Sequence, residues 1–293
     1  MTRKRFFGTA FYYAAAILLA LIALVPFAWM ISTSFKSRGA LMSIPIEWIP
    51  EEPTLDAYFT VFERFPFLRA IGNSLLIAVC YTLLTLVSAS MAAFAFTKIQ
   101  FKGSGFLLGL YLATMMIPTQ VTMIPLFVVM NQIGLINHYS SVILPAIFRP
   151  FAVFLLVQQM RTIPPDYMDA ARIDGCNDVR VFFQVILPLS KPMLAAVSLF
   201  IAVGFWNDYY SYMMYIATKP TLQPFAWVLR RVLTDSAMMS QMRTGAVDIG
   251  AQLPPPMALR MATIICAMLP IMCVYPFLQK HFAKGVLIGA VKE

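Results

Sequence analysis

Residues 161–191 form a polar island in an otherwise apolar chain, reading R-T-I-P-P-D-Y-M-D-A-A-R-I-D-G-C-N-D-V-R-V-F-F-Q-V-I-L-P-L-S-K. Its residue types suit recognition rather than bond-making. Pro165 suits the first turn of a helix, and Asp166 the positive end of its dipole. Tyr167, Ala170, Ala171 and Asp174 recur at helical spacing, and the two alanines leave that side small and smooth. Gly175 can take the left-handed conformation that ends a helix. Asn177 is a good N-cap for a second helix, which Pro188 is expected to close. A short helix, a tight turn and a second helix can fit into a groove on a soluble partner.

Arg149 is the second position with chemistry. It lies mid-way along an apolar run, between Pro145 and Pro150. A charge at membrane depth is costly and marks a functional site by default. Two readings are open: a buried pair with Asp208 or with backbone carbonyls freed by the prolines, or a cation for a substrate carboxylate. A third group is the run Trp206-Asn207-Asp208-Tyr209-Tyr210-Ser211-Tyr212. It offers planar hydrogen-bonding groups and aromatic faces, although an interfacial aromatic belt uses the same residues.

Other chemistries find no support. No G-x-x-x-x-G-K-[ST] occurs, so no P-loop for ATP is present. Gly103-Ser104-Gly105 reads as a short turn. The two histidines, His138 and His281, stand without a cysteine or carboxylate at metal spacing. Cys80, Cys176, Cys266 and Cys273 form no C-x-x-C and read as small buried hydrophobes. No nucleophile, base and oxyanion set can be assembled. Catalytic and metal residues are therefore expected to be none, and no cofactor is expected on this chain.

The elements that carry these groups follow from composition. The chain has 293 residues, 60% hydrophobic and only 12% charged, against roughly 25% charged in a soluble domain. Such a chain needs a bilayer to face its apolar surface, which excludes soluble enzymes and disordered tails. The net charge of +9 is spread between long apolar stretches rather than gathered in one patch, so nucleic acid is not expected as a partner. A membrane span takes roughly 20 apolar residues. Six candidates run near 11–31, 71–96, 106–130, 139–160, 192–217 and 257–278. They lack period-2 alternation and read as helices. Pro118, Pro125, Pro145 and Pro150 interrupt the third and fourth. The first run follows Arg3, Lys4 and Arg5 and is too long for a signal-peptide core. With the N-terminus inside, 12 Lys and Arg fall on the cytoplasmic side and 9 outside, with Arg149 within a span. Six spans return the C-terminus to the cytoplasm. The expectation is one all-α polytopic membrane domain over residues 1–293, with its core at 71–280 and a cytoplasmic loop at 161–191.

The run Asp169-Ala170-Ala171, then Asp174-Gly175, then Ile186-Leu187-Pro188 with Pro192, resembles the EAA loop of ABC importer permeases. Asp169 stands where glutamate is usual, keeping the charge on a shorter arm, and Cys176 stands where alanine is common. Phe205-Trp206-Asn207-Asp208 and the tail from Phe277 to Lys292 resemble the carbohydrate-uptake branch, relatives of the maltose permease. The stretch from Met261 to Phe277 is similar to permeases of uronate-oligosaccharide importers, alginate importers among them.

This resemblance implies the type I ABC importer fold in a bacterial cytoplasmic (inner) membrane. It implies that Asp166, Asp169, Ala170, Ala171, Asp174, Gly175 and Pro188 belong to a coupling helix and its surroundings, docked on an ATPase. ATP and Mg would then be bound by the partner ATPase. It implies a second homologous permease subunit in a heterodimer, two ATPase subunits, and a periplasmic or extracellular solute-binding protein. Arg149, Trp206, Asn207, Asp208, Tyr209 and Tyr212 become candidates for an oligosaccharide path. Arg230, Arg231 and Arg243, in the outer segment 218–256, become candidates for binding-protein contact, a solvated basic surface being the alternative. The expected cargo is acidic, alginate or another uronate oligosaccharide. A neutral oligosaccharide is the alternative. A proton-coupled secondary transporter is disfavoured because paired intramembrane carboxylates and repeated halves are missing. A membrane enzyme is disfavoured by the missing catalytic set.

Overall fold

The computed structural model describes residues 3–42, 45, 47–216, 218–242, 254–270, 272 and 273, and every regular element among them is helical. In chain order these are α1 (Arg3–Ser34), α2 (Arg38–Met42), α3 (Asp56–Arg64), α4 (Phe67–Lys98), α5 (Ser104–Ala113), α6 (Thr119–Gln132), α7 (Tyr139–Ile143), α8 (Pro150–Arg161), α9 (Asp166–Ile173), α10 (Asp178–Val181), α11 (Leu187–Leu189), α12 (Lys191–Trp206), α13 (Tyr210–Tyr215), α14 (Phe225–Met242) and α15 (Pro256–Pro270). The chain forms two compact units, Met1–Phe67 with Leu229–Ile271 and Leu68–Val228 with Met272–Glu293.

Helical stretches of spanning length and apolarity cover Phe11–Ser34, Phe67–Lys98 and Tyr139–Arg161, the last interrupted between α7 and α8. Two bent pairs reach the same length and apolarity only when each is taken as one element. Ser104–Met116 turns by 102° into α6, and Asp178–Leu189 turns by 76° into α12. The first three fall on the first, second and fourth expected spans, and α5 with α6 and α12 fall on the third and fifth. The sixth, near 257–278, is described as α15 through Pro270, and most of the remainder lies outside the described residues. The fifth ends earlier than expected. α12 stops at Trp206 rather than near 217, because the Asn207 amide donates back to the Val203 carbonyl (3.0 Å) and the next helix starts afresh. Short polar side chains compete with the helical backbone in this way.

In the first unit, the end of α1 is tied down by polar contacts. Ser34 Oγ shares a hydrogen bond with the Tyr58 hydroxyl (2.8 Å), and the Thr54 N–H donates to the Phe35 carbonyl (2.8 Å). Burial raises the Tyr58 hydroxyl above its ordinary pKa, so it stays protonated in this contact. Lys36 is fully buried; its ammonium donates to the Glu47 carbonyl and lies 4.2 Å from the Trp29 ring centroid. Ala57 of α3 packs with Ala258 and Ala262 of α15. The apolar length of α1 is exposed, as suits a helix surrounded by lipid or another protein.

The second unit has two apolar clusters along α4. One joins Ala89, Ala93 and Phe94 of α4 to Val153, Leu156 and Val157 of α8, and continues into Ile163, Met168 and Ala171. Alanines at such positions let helices approach closely. The other joins Ile77 and Tyr81 of α4 to Phe205, Tyr212 and Tyr215. At one end of α4, the Asn73 amide donates to the Thr221 and Gln223 carbonyls (both 3.0 Å) and accepts from the Tyr139 hydroxyl (2.8 Å). At its other end, Lys98 Nζ donates to the Ile163 carbonyl (2.7 Å), just before α9. The two ends are about 37 Å apart along the helix. Residues 73, 139 and 221–223 thus share one face of this unit, and 98 and 163 share the opposite one, as the span order requires.

Asn73→Ala removes three hydrogen bonds and leaves partners unsatisfied. It should destabilise the second unit by about 1–3 kcal/mol, and Tyr139→Phe by less. Denaturant unfolding in detergent micelles measures both, and an unchanged midpoint for Asn73→Ala would contradict this account of the anchor.

Candidate functional site

Interruptions in three membrane helices meet around one cavity. The first is the turn between α5 and α6, where Pro118 is extended (φ −58°, ψ 135°) and contributes Thr119 and Gln120 just beyond it. The second is the break at Phe148 and Arg149, between the 3-10 turn Leu144–Ile147 and α8. The third is the gap between α12 and α13 at Asn207–Tyr209. The cavity has a volume of about 610 Å³, a size typical of ligand pockets. Its walls include Tyr81, Gln120, Arg149, Phe205, Asp208 and Ser211. Proline accounts for two of the interruptions, since it removes an N–H and crowds the preceding turn.

Arg149 does not pair with Asp208. Its Nε donates to the Tyr81 hydroxyl, and its guanidinium carbon lies 4.9 Å from the Tyr81 ring centroid. No freed backbone carbonyl takes it either among the described contacts. Asp208 is engaged elsewhere: its carboxylate accepts from the Ser211 N–H (3.1 Å) and the Ser211 hydroxyl (2.5 Å), starting α13. Both side chains still line the cavity. The first turns of α6 and α8 also line it, and neither has a side-chain cap. Two helix N-termini and one guanidinium thus share the cavity wall with the Asp208 carboxylate.

The other expected path residues lie around the cavity rather than on its wall. Trp206 stacks on Phe225 (5.8 Å between centroids), and Tyr209 packs against Tyr210 (4.1 Å). Asn207 caps α12. Tyr212 is buried in the second core cluster, with its hydroxyl donating to the Phe205 carbonyl (3.3 Å). The cavity adds Tyr81 and Gln120, which sequence patterning passed over, and draws Tyr210 and Ser211 from the expected aromatic run. A hydroxyl-bearing Tyr81 inside the apolar run 71–96 was the available signal.

The 161–191 segment folds as helix, turn and helix. α9 carries Asp166 and Asp169 in its first turn and Arg172 in its last, each matched to the dipole. The expected smooth side is divided. Ala171 turns inward with Met168 onto the first core cluster, whereas Tyr167, Ala170 and Asp174 stay exposed. Adjacent helical residues point about 100° apart, so the two alanines cannot share one free face. Ile173 is 87% exposed and Val179 63%, an apolar pair on a polar loop that sequence reading missed.

Gly175 sits at φ 80°, its N–H donating to Arg172 O (3.0 Å) while the Cys176 N–H donates to Ala171 O (2.9 Å). This pair of bonds is the Schellman closure of a helix end. A Cβ on Gly175 would meet nothing within 4 Å, so only backbone conformation selects glycine there. Asn177 caps α10 through the Arg180 N–H (2.9 Å), as expected. Arg172 and Asp178 pair across the turn at 3.0 Å, half-exposed and worth a few tenths of a kcal/mol.

Pro188 does not close the second helix. The chain widens into a π-helical turn at Phe182–Ile186 and continues through Pro188 to Leu189. The wider turn accommodates a proline ring that would otherwise strike the carbonyl four residues back. The bend follows at Ser190, whose hydroxyl donates to the Ile186 carbonyl (2.8 Å). Arg230 and Arg231 are exposed on α14. Arg243 and the tail 277–292 lie outside the described residues.

Residues 85–288 match the sequence profile of the family described as "Binding-protein-dependent transport system inner membrane component". Protein LplC of Bacillus subtilis is 37% identical over 92% of this chain and 90% of its own length. The polygalacturonan/rhamnogalacturonan transport system permease protein YtcP of Bacillus subtilis is 34% identical over 96% of each. Among solved structures, a chain of a bacterial ABC transporter involved in the import of the acidic polysaccharide alginate superimposes with a TM-score of 0.77. Its identity is 25%, over 96% of this chain and 99% of that one.

The turn at Gly175 makes a local prediction. Gly175→Val should loosen α9 and α10, whereas Gly175→Asn, which tolerates the left-handed region, should not. Hydrogen exchange at the Gly175 and Cys176 amides should rise about tenfold in the valine variant, and equal exchange in both variants would refute the assignment.

Proposed function

The chain belongs to the family of binding-protein-dependent transport system inner membrane components, and from that premise we propose that it is the permease subunit of an ATP-driven importer of acidic oligosaccharides. The cargo would be alginate or another uronate oligosaccharide. The observation that carries the acidic reading is Arg149 on the cavity wall, without a carboxylate partner among the described residues and flanked by the first turns of α6 and α8. Discontinuous membrane helices aim their positive ends at anionic groups of a substrate in this way. The similarity to YtcP and to the alginate transporter supports the same direction.

Alternating access supplies the mechanism. The membrane part has two states, biased from the cytoplasm by nucleotide and from outside by delivery of cargo. A second, similar permease subunit would complete the path, two ATPase subunits would lie at the cytoplasmic face, and a solute-binding protein would dock outside. ATP would close the ATPase dimer and carry α9 with it. Met168 and Ala171 pass that displacement to α4 and α8, because they share one packed cluster with Ala93, Leu156 and Val157. Packed clusters of this kind shift as units. Asp166, Asp169, Ala170, Asp174 and Gly175 would form the ATPase-facing surface, with Ile173 and Tyr167 as its apolar anchors. Arg230, Arg231 and Arg243 would face the binding protein, and both termini would lie in the cytoplasm.

Two measurements on the assembled complex in vesicles test this. Arg149→Gln should lower ATP-driven uptake of an oligouronate about tenfold or more, the scale of a lost charge-assisted pair. It should leave a neutral oligosaccharide of equal length nearly unchanged; an unaltered ratio of the two would refute the acidic assignment. Gly175→Val should lower cargo-stimulated ATP hydrolysis several-fold, and intact stimulation would remove the loop from coupling.

A further inference from the structure

We infer that Tyr81 is a specificity-determining positioning residue, holding the Arg149 guanidinium so that its terminal edge faces the cavity and grips a uronate carboxylate. This inference rests on the acidic-oligosaccharide reading. A guanidinium presents five N–H donors in one plane. In this structure Nε–H is taken by the Tyr81 hydroxyl, which leaves the two terminal amino groups for a ligand. That edge matches a carboxylate with two parallel hydrogen bonds.

Tyr81 can do this because it cannot turn away. Its side chain is 1% exposed, whereas Arg149 is only half-buried. The Phe205 ring stacks on Tyr81 with centroids 3.8 Å apart and planes inclined by 30°. Tyr212 meets Phe205 edge-on at 5.8 Å and 86°, and its hydroxyl donates to the Phe205 carbonyl. The phenol is thus fixed from behind by rings of α12 and α13, while its hydroxyl and face hold the guanidinium. Tyr212 takes the role of a brace two rings behind the ligand. Gln120 and the uncapped first turn of α6 line the same cavity and complete a polar set suited to a charged sugar ring.

The arrangement predicts a loss restricted to charged cargo. Tyr81→Phe keeps the ring, the stack and the cation–π contact and removes only the hydroxyl. The complete complex, with its ATPase and binding protein, is reconstituted in vesicles, and uptake is measured for an oligouronate trisaccharide and a neutral trisaccharide. Tyr81→Phe should raise the apparent KM for the oligouronate about five- to tenfold, with maximal rate little altered and the neutral sugar unaffected. In an Arg149→Gln background, Tyr81→Phe should add nothing, because the group it orients is gone. Equal changes for both sugars, or additive effects in the double variant, would overturn the positioning role. Loss of assembled complex on size exclusion for Tyr81→Phe would likewise overturn it in favour of a packing role. A wild-type complex that shows no preference for the oligouronate would overturn the acidic reading, and this inference with it. A wild-type preference left intact by Tyr81→Phe would overturn this inference alone.

Discussion

A bilayer offers no water to a broken helix, so every interrupted turn must find its partners within the protein or face a polar cavity. This constraint organises the second unit. The turn at Pro118, the break before Pro150 and the gap after Trp206 would each be costly facing lipid. They meet around a single cavity of about 610 Å³, where polar groups can be satisfied by cargo or water. The cavity is a consequence of where helices are permitted to fail. Arg149 occupies the same place for the same reason, since a charge is tolerated at membrane depth only beside a polar partner or an aqueous space.

The aromatic layer beneath the cavity shows how a polar site is held inside an apolar bundle. Tyr81, Phe205 and Tyr212 form successive ring contacts from α4 into α12 and α13. Each tyrosine turns a polar atom toward a fixed partner, Arg149 for one and the Phe205 carbonyl for the other. Their bodies belong to the core, and their hydroxyls determine which way neighbouring groups point. Asp208 is drawn into local capping of α13 and so cannot neutralise Arg149. That division of labour leaves the two opposite charges on one cavity wall without a direct pair between them.

At the other end, the water-facing loop obeys the opposite rule, because exposed backbone is free to turn there. α9 and α10 are short and cannot stand alone. They are stable because Met168, Ala171 and Val181 continue the core of α4 and α8. Docked this way, the loop behaves as an extension of the bundle, with Ile173 and Tyr167 left outside as contact points. Lys98, bonded to the carbonyl of Ile163, closes the junction between α4 and the loop.

The residues themselves determined the membrane class, the helical nature of the spans, the turn at Gly175, the cap at Asn177 and the placing of Arg149 within an apolar run. All of these are decided within about one helical turn or by composition, so neighbouring residues suffice to read them. Local rules misled where competing local rules met: Pro188 was absorbed by a π turn, and Asn207 stopped a helix that its apolar content would have extended. Tertiary structure alone decided that Arg149 meets Tyr81, 68 residues away, rather than Asp208. It also decided that Ala171 faces the core while Ala170 faces out, and that three breaks share one cavity. Those outcomes depend on which helix faces pack together. Nearly uniform apolar helices carry little periodic contrast, so their facing sides are fixed by close packing between distant segments and by the need to satisfy each buried polar group.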